Sequence, residues 1–455
     1  AFLFAVSRWH ITFSRFGIPG ITAPFFEMLI LWLWLRAERT RHIHDFAWAG
    51  MALGYGLNFY TAFRLFAVVM AALVLRRAIE WWRTTLRQPT HGTALAVHLS
   101  AFAIAAAFAV APLAQFALLN PEILFGYSRD ISIFNRRDEP DLTKAILSTT
   151  SRHLLMFNYS GDRNGRHNLP GEPMLDPMTG TLFVLGAAFA IRRWRAAPNF
   201  AFILVFVTGL SAGIFALDFE APQSNRAIGS IAAAMYFAAL AAETLWRTAD
   251  SALPKFSARA RLVGALALAA GGYTAYYNAH TYFVRQANSD DVWEAFNGIE
   301  TLTAFKMLEA GPDRTTYYAS MYLFDHEVVR FLAPSVHARG IIPPLGLPIH
   351  EPGDKQIMIF VDNANLWIID EAHQYYPEAQ FETFTTPKGQ PVLYTVTIQP
   401  ESIRKLQGLT ARYWRGDAAE GEAAFTRTEP MLNTEWPAAA PLPAPFFAQW
   451  EGVLY

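Results

Sequence analysis

The stretch Phe46-Ala-Trp-Ala-Gly-Met-Ala-Leu-Gly-Tyr-Gly-Leu-Asn-Phe-Tyr60-Thr-Ala-Phe-Arg64-Leu-Phe-Ala-Val-Val-Met-Ala-Ala-Leu-Val-Leu-Arg76 reads either as one long tilted membrane helix or as a hairpin of two short ones. Charge separates the readings. Arg36, Arg39 and Arg41 precede the stretch, and Arg76, Arg77, Arg83 and Arg87 follow it. Basic residues stay on the inner side of a membrane, so a single crossing would strand one cluster outside, whereas a hairpin keeps both inside. The hairpin, with spans at 46–60 and 62–76, then sets the direction of every later span.

Working outward, the same rule continues without conflict. Further candidate spans lie at 19–36, 94–119, 179–193, 199–217, 226–246 and 261–283, several of them near the ~20 residues a bilayer requires. Arg192, Arg193 and Arg195 fall inside, as do Arg247, Lys255, Arg259 and Arg261. The polar stretch 120–178 carries seven Lys/Arg and eight Asp/Glu and lands outside, together with 218–225 and everything after about 284. The expectation is a polytopic α-helical membrane protein of eight spans in the plasma (inner) membrane, with its C-terminal region periplasmic or extracellular.

Composition points the same way. Of the 455 residues, 53% are hydrophobic and only 16% charged, against roughly a quarter charged in soluble domains. A net charge of −1 supplies no field for nucleic acid. Cysteine is absent, which excludes disulfides and thiolate chemistry. His42 and His44 form a His-x-His in an inner loop with no third ligand near, so neither a metal site nor a cofactor is implied. The chain opens on Ala1 within an apolar run and stops at Leu454-Tyr455, as a fragment of a longer protein is expected to.

Beyond the last span the composition turns soluble. Thr315–Ser320, Gln356–Val361 and Pro391–Thr397 read as buried strands, and 298–310 and 324–333 as helices, which predicts a small α/β domain over 284–400. After Gly408 come short aromatic strands between Pro- and Ala-rich turns, an all-β pattern. Gly408-Leu-x-x-x-Tyr413, then Thr426-Arg427 with Asn433-x-x-Trp436, then Trp450-x-Gly452 appear in order. That segment, 408–455, resembles the opening strands of the protective-antigen-type β-sandwich, a module that accompanies glycosidases and glycan-binding proteins.

Four outward-facing segments hold polar residues that lipid would not tolerate cheaply. Ser7-Arg8-Trp9-His10 with Ser14-Arg15 precedes the first span. Asn58-Phe-Tyr60 with Arg64 forms the hairpin tip. The loop 120–178 contains Arg129, an amphipathic stretch Leu142–Phe157 suited to a membrane surface, and the proline-stiffened run from His167 through Asp176 to Pro177. Asp218-Phe-Glu220-Ala-Pro222 with Asn225-Arg226 makes a turn between two spans. Guanidinium groups match phosphate with paired donors, so Arg8, Arg15, Arg64 and Arg226 are candidates to hold a lipid-linked phosphate. His10, Tyr60, Arg129, His167, Asp176 and Glu220 are candidates to position substrate.

With these residues the chain resembles the GT-C membrane glycosyltransferases, in the branch that includes protein O-mannosyltransferases and aminoarabinose transferases. The resemblance covers about residues 1–400 and rests on the Ser-Arg-Trp-His entry, Gly54-Tyr55-Gly56-x-x-x-Tyr60 with Arg64, His167–Pro177 before a span, and Pro222-x-x-x-Arg226. It implies a polyprenyl-phosphate sugar donor, a protein, lipid or glycan acceptor, an outward-facing site within membrane lipid, and inverting displacement at the anomeric carbon. The family's catalytic Asp lies in a loop after its first span. That loop is expected upstream of Ala1, so no general base is assigned and the fragment is expected to be inactive. The same residues would also suit a transporter or flippase of lipid-linked sugars, or a membrane-anchored glycan-binding scaffold.

Overall fold

The computed structural model describes residues 1–85, 92–252, 259–336, 338–340, 347–349, 354–406, 408–429 and 441–452. They form two compact units, Ala1–Val292 and Trp293–Tyr455.

The first unit is helical. Each expected span contains a helix, displaced by a few residues: Thr22–Thr40, Ile43–Gly56, Phe66–Thr85, Gly92–Leu119, Pro177–Arg192, Ala197–Ile214, Ser230–Ala252 and Arg259–His280. The 46–76 stretch is thus two helices, separated by the 3-10 turn Ala62–Leu65. They are not each other's main neighbours. Ile43–Gly56 lies chiefly against Gly92–Leu119 and Thr22–Thr40. Gly50 and Gly54 make that approach possible: a Cβ on either would stand 2.1 Å from the Phe102 carbonyl oxygen or 2.3 Å from that of Ala106. Small residues one turn apart are the usual way apolar helices bring their backbones together.

Among the described residues, three helices are long and apolar enough to cross a membrane: Pro19–Thr40, Leu95–Leu119 and Ala197–Ile214. The second packs on Ile43–Gly56 along one side and is largely open elsewhere, with 6% of its most apolar window buried. A helix apolar all round and left largely open needs an apolar medium or partner, which is the condition of a membrane span.

The 120–178 segment is largely structured. Helix Pro121–Asp130 comes first, and Leu142–Leu155 follows, capped by Asp141, whose carboxylate accepts from the amides of Thr143 (2.9 Å) and Lys144 (3.2 Å). This is the helix the amphipathic spacing predicts. Its inner face is covered by protein: Ala145, Thr149 and His153 are buried, and the Thr149 hydroxyl donates to the Ile214 carbonyl at 2.9 Å. A continuous aromatic core ties the unit together, with Trp9, Phe13, Trp34, Phe157 and Phe237 buried at its centre.

The first unit ends nine residues later than the hydropathy break at 283 suggests, at Val292. The helix Arg259–His280 continues as a π-helical turn, Thr281–Gln286. Arg285 on that turn pairs bidentately with Glu172, at 2.9 and 2.8 Å, and so belongs with the helical unit.

The second unit carries a five-stranded mixed sheet and a three-stranded antiparallel one. In the first, β1 (Thr315–Ala319), β2 (Ala338–Gly340), β3 (Gln356–Asp362), β4 (Gln380–Thr385) and β5 (Pro391–Ile398) stand in the order β2-β1-β3-β5-β4. β1 runs parallel to β2 and β3, whereas β5 is antiparallel to β3 and β4. Helices Gly298–Ala310 and Trp367–Tyr375 flank these strands in sequence, and the expected 324–333 helix is the shorter Glu327–Leu332, begun by a His326 cap. Sequence reading misses β4 because this edge strand is mostly exposed and lacks a continuous apolar face. The other sheet, β6 (Leu409–Arg415), β7 (Phe425–Glu429) and β8 (Phe446–Glu451), places β6 in the middle. Tyr413 is buried there, stacked on Phe425 at 4.8 Å. Asn433 and Trp436 of the β-sandwich pattern lie outside the described residues.

Candidate functional site

The turn that follows Ala197–Ile214 organises a cluster of cavities. Arg226 lines all three of them. The largest of the three, about 570 Å³, has a mixed wall in which Arg152, Asp162, Arg163, Glu220 and Arg226 stand among apolar residues such as Leu155, Phe219 and Pro222. A second, about 320 Å³, is bordered by Tyr60, Leu65, Tyr127, Phe215 and Arg226. The third is only about 10 Å³ and lies between Glu27, Tyr60, Thr208, Arg226 and Gly229. Arg226 itself is mostly buried, with its side chain 11% exposed and its Nη1 2.7 Å from Oε2 of the more open Glu220.

Backbone bonds hold this turn in place. The Arg226 amide donates to the Gln223 side-chain oxygen (2.9 Å), and the Tyr60 hydroxyl donates to the Asn225 carbonyl (3.1 Å), which links the tip between two helices to the turn. Asp218 accepts from the amides of Asp138 and Glu139, both at 2.8 Å. Burial alone would raise its pKa, but those amide bonds outweigh it and hold the carboxyl below the usual range. The Ile133 amide donates to the Phe215 carbonyl at 3.0 Å, which fastens the segment leading to Asp138 beside the cavities.

Two buried polar groups support the wall from behind. Asp162 is 1% exposed. Its carboxylate accepts from the Ser224 amide (2.8 Å), the Ser224 hydroxyl (2.7 Å) and the Asn164 amide (2.8 Å), and lies 3.1 Å from His167 Nδ1. Three of these contacts fall on Oδ2 and one on Oδ1, which ties the carboxylate to the Ser224 turn and makes it a girder of the cleft. His153 is fully buried and packed against Gly213. The Gln223 amide donates to its Nε2 at 3.1 Å, so its proton sits on Nδ1, 2.8 Å from the Thr149 carbonyl. Burial pushes this imidazole's pKa down.

The structure brings Tyr60, Glu220 and Arg226 together. The remaining expected site residues stand elsewhere. Arg8 is enclosed at 2% exposure, donating to the Asn168 side chain and to the Pro173 carbonyl (2.5 Å). Burial brings its pKa down to about 10. It therefore pins the proline-rich run against the core instead of offering its donors to a phosphate. Asp176 is the cap of Pro177–Arg192, accepting from the amides of Met178 (3.2 Å) and Thr179 (3.0 Å) and from Asn278 (3.0 Å). His167 stands behind Asp162 and stacks on Phe13 at 5.5 Å. Arg15 is exposed over the rings of Tyr282 and Phe283, and His10 packs edge-on to Phe4. Arg129 pairs with Glu122 at 3.2 Å on the surface. Arg64 sits in the 3-10 turn beside the cavities but lines none of the three.

Four charged residues of the cavities are absent from the sequence-based set: Glu27, Arg152, Asp162 and Arg163. Glu27 carries the clearest signal, because it is the only acid between Pro19 and Arg36. Arg152 and Arg163 look in sequence like ordinary charges flanking an amphipathic helix, and only folding turns both toward one cleft. No protein-family model matches this chain, and no curated protein matches it.

Proposed function

We propose that this chain is the membrane-embedded part of a glycosyltransferase of GT-C type, which moves a sugar from a polyprenyl-phosphate donor to an acceptor on the outer face of the membrane. The observation that carries this reading is the position of Arg226. One guanidinium borders both a cleft that holds two further arginines and a cavity whose wall is mainly apolar, with Tyr60, Leu65, Tyr127 and Phe215 in it. A lipid-linked phosphate has the matching two-sided chemistry, an isoprenoid chain joined to an anion.

In that reaction the acceptor hydroxyl loses its proton, its oxygen bonds the anomeric carbon from the face opposite the phosphate, and the polyprenyl phosphate departs with the bonding electron pair. A cation beside the departing oxygen lowers the barrier because negative charge grows there. Arg226 supplies that cation, with Arg152 and Arg163 enriching the cleft in positive charge. The proton acceptor is not assigned: the Asp162 carboxylate is engaged by Ser224, Asn164 and His167, and Glu220 is ion-paired. In this reading the eight helices are membrane spans, the Trp293–Tyr455 unit lies on the outer side, and the three-stranded sheet begins a glycan-binding β-sandwich.

Binding of a polyprenyl phosphate to the protein in lipid nanodiscs tests the assignment. Arg226→Ala is expected to weaken it at least tenfold, with binding of the uncharged polyprenol unchanged. Equal phosphate binding by the variant overturns the reading.

A further inference from the structure

Glu27 lies on the helix Thr22–Thr40, 4% exposed, and its Oε2 is buried without a hydrogen-bond partner. A buried carboxylate in apolar surroundings needs a compensating group. The cavity it faces is lined by one cationic side chain, Arg226, together with the polar groups of Tyr60 and Thr208. That space, about 10 Å³, is close to the smallest that holds one water molecule.

The backbone around the carboxylate is cut back to admit it. A Cβ on Gly229 would stand 2.5 Å from Glu27 Oε1, and one on Gly209 would stand 2.5 Å from the Ser230 amide nitrogen. Gly229 therefore leaves room for the acidic side chain, and Gly209 lets its own helix approach the Gly229–Ser230 backbone. Arg226 contacts one carboxylate, Glu220, at 2.7 Å and 35% exposed, and shares the lining of the water-sized cavity with another, the buried Glu27. These two carboxylates differ in what they can do. The exposed one can be exchanged for an incoming anion, whereas the buried one cannot leave.

We propose that Glu27 is a positioning residue for Arg226: it retains the guanidinium at the junction of the cavities while Glu220 is exchanged for the phosphate of the ligand. The inference rests on the phosphate-binding reading of the site and adds a residue to it. Two opposing effects make it testable. Removing a negative charge near an anion site strengthens anion binding by Coulomb's law alone. Loss of a positioning group weakens it, because the guanidinium is no longer held where the phosphate arrives.

The experiment measures polyprenyl phosphate and polyprenol binding to the full chain in nanodiscs, for the unaltered protein and for Glu27→Gln, Glu220→Gln, Arg226→Ala and the Glu27→Gln/Arg226→Ala pair. Glu27→Gln keeps the side chain's size, and its melting temperature reports whether the fold is retained. The expected result is about tenfold weaker phosphate binding in Glu27→Gln, tighter binding in Glu220→Gln, unchanged polyprenol binding, and no further loss when Glu27→Gln is added to Arg226→Ala. Unchanged or tighter phosphate binding in Glu27→Gln overturns the positioning role, as does an equal loss in the Arg226→Ala background or for polyprenol. Absence of phosphate binding by the unaltered protein overturns the reading of the site, and this inference with it.

Discussion

Arg226 and Glu220 form an ion pair at 2.7 Å in the lining of the cavity of about 570 Å³, with the guanidinium mostly buried and the carboxylate one-third exposed. The asymmetry gives the pair its meaning. Two equally exposed partners would add little, about 0–1 kcal/mol. In the proposed reading, a guanidinium held in the wall with a removable counter-ion is an anion site whose place is taken by the protein's own carboxylate.

Glu220→Gln is therefore expected to raise affinity for polyprenyl phosphate by about three- to tenfold, since the ligand no longer competes with a carboxylate; tenfold corresponds to about 1.4 kcal/mol. Titration at two salt concentrations checks it. The gain should shrink at high salt, because exposed charges are screened.

Asp162→Ala is expected to destabilise the helical unit by about 3 kcal/mol. It strands the Ser224 amide and hydroxyl as buried donors, each costing roughly 1–3 kcal/mol when unsatisfied. The corresponding loss should appear in thermal unfolding of the detergent-solubilised protein. Asp162→Asn, which keeps the shape and one acceptor, should lose less.

His153 predicts a pH dependence with a defined sign. Its pKa is lower in the folded protein than the ordinary value of about 6.5. The unfolded chain therefore takes up the proton first, and stability must fall as pH drops below about 6.5 toward the folded value. Above 6.5 the contribution is fully present. Melting temperatures taken between pH 7.5 and 5 should decline for the parent protein and decline less for His153→Gln. The depressed carboxyl of Asp218 acts in a different window: its contribution is lost only as pH falls below the ordinary Asp value of about 3.9.

Gly186→Ala is expected to prevent correct assembly of the helices. A Cβ there would lie 1.6 Å from the Phe237 carbonyl oxygen, a backbone atom that cannot yield without separating Pro177–Arg192 from Ser230–Ala252. Loss of the monodisperse peak in fluorescence-detected size-exclusion chromatography is the expected outcome. By contrast, Gly264→Ala, where a Cβ meets nothing within 4 Å, should behave as the parent.

The sequence alone determined the helices and most of the strands, because both follow from local periodicity and apolar run length. The eight apolar segments became eight helices, and Asp141 and Asp176 began helices where a short acceptor before a helix should. Tyr60, Glu220 and Arg226 were legible as candidates because polar groups at the ends of apolar runs are conspicuous. What each charge does was settled by the tertiary structure. Arg8 and Arg226 look alike in sequence, yet one is spent on Asn168 and the Pro173 carbonyl while the other borders three cavities. Asp176 and Glu27 reversed their apparent importance for the same reason. A residue's availability depends on which partners folding brings within hydrogen-bond reach, and those partners lie up to 270 residues away in the chain. Periodicity records which face of a helix is buried, but not what the burial places beside it.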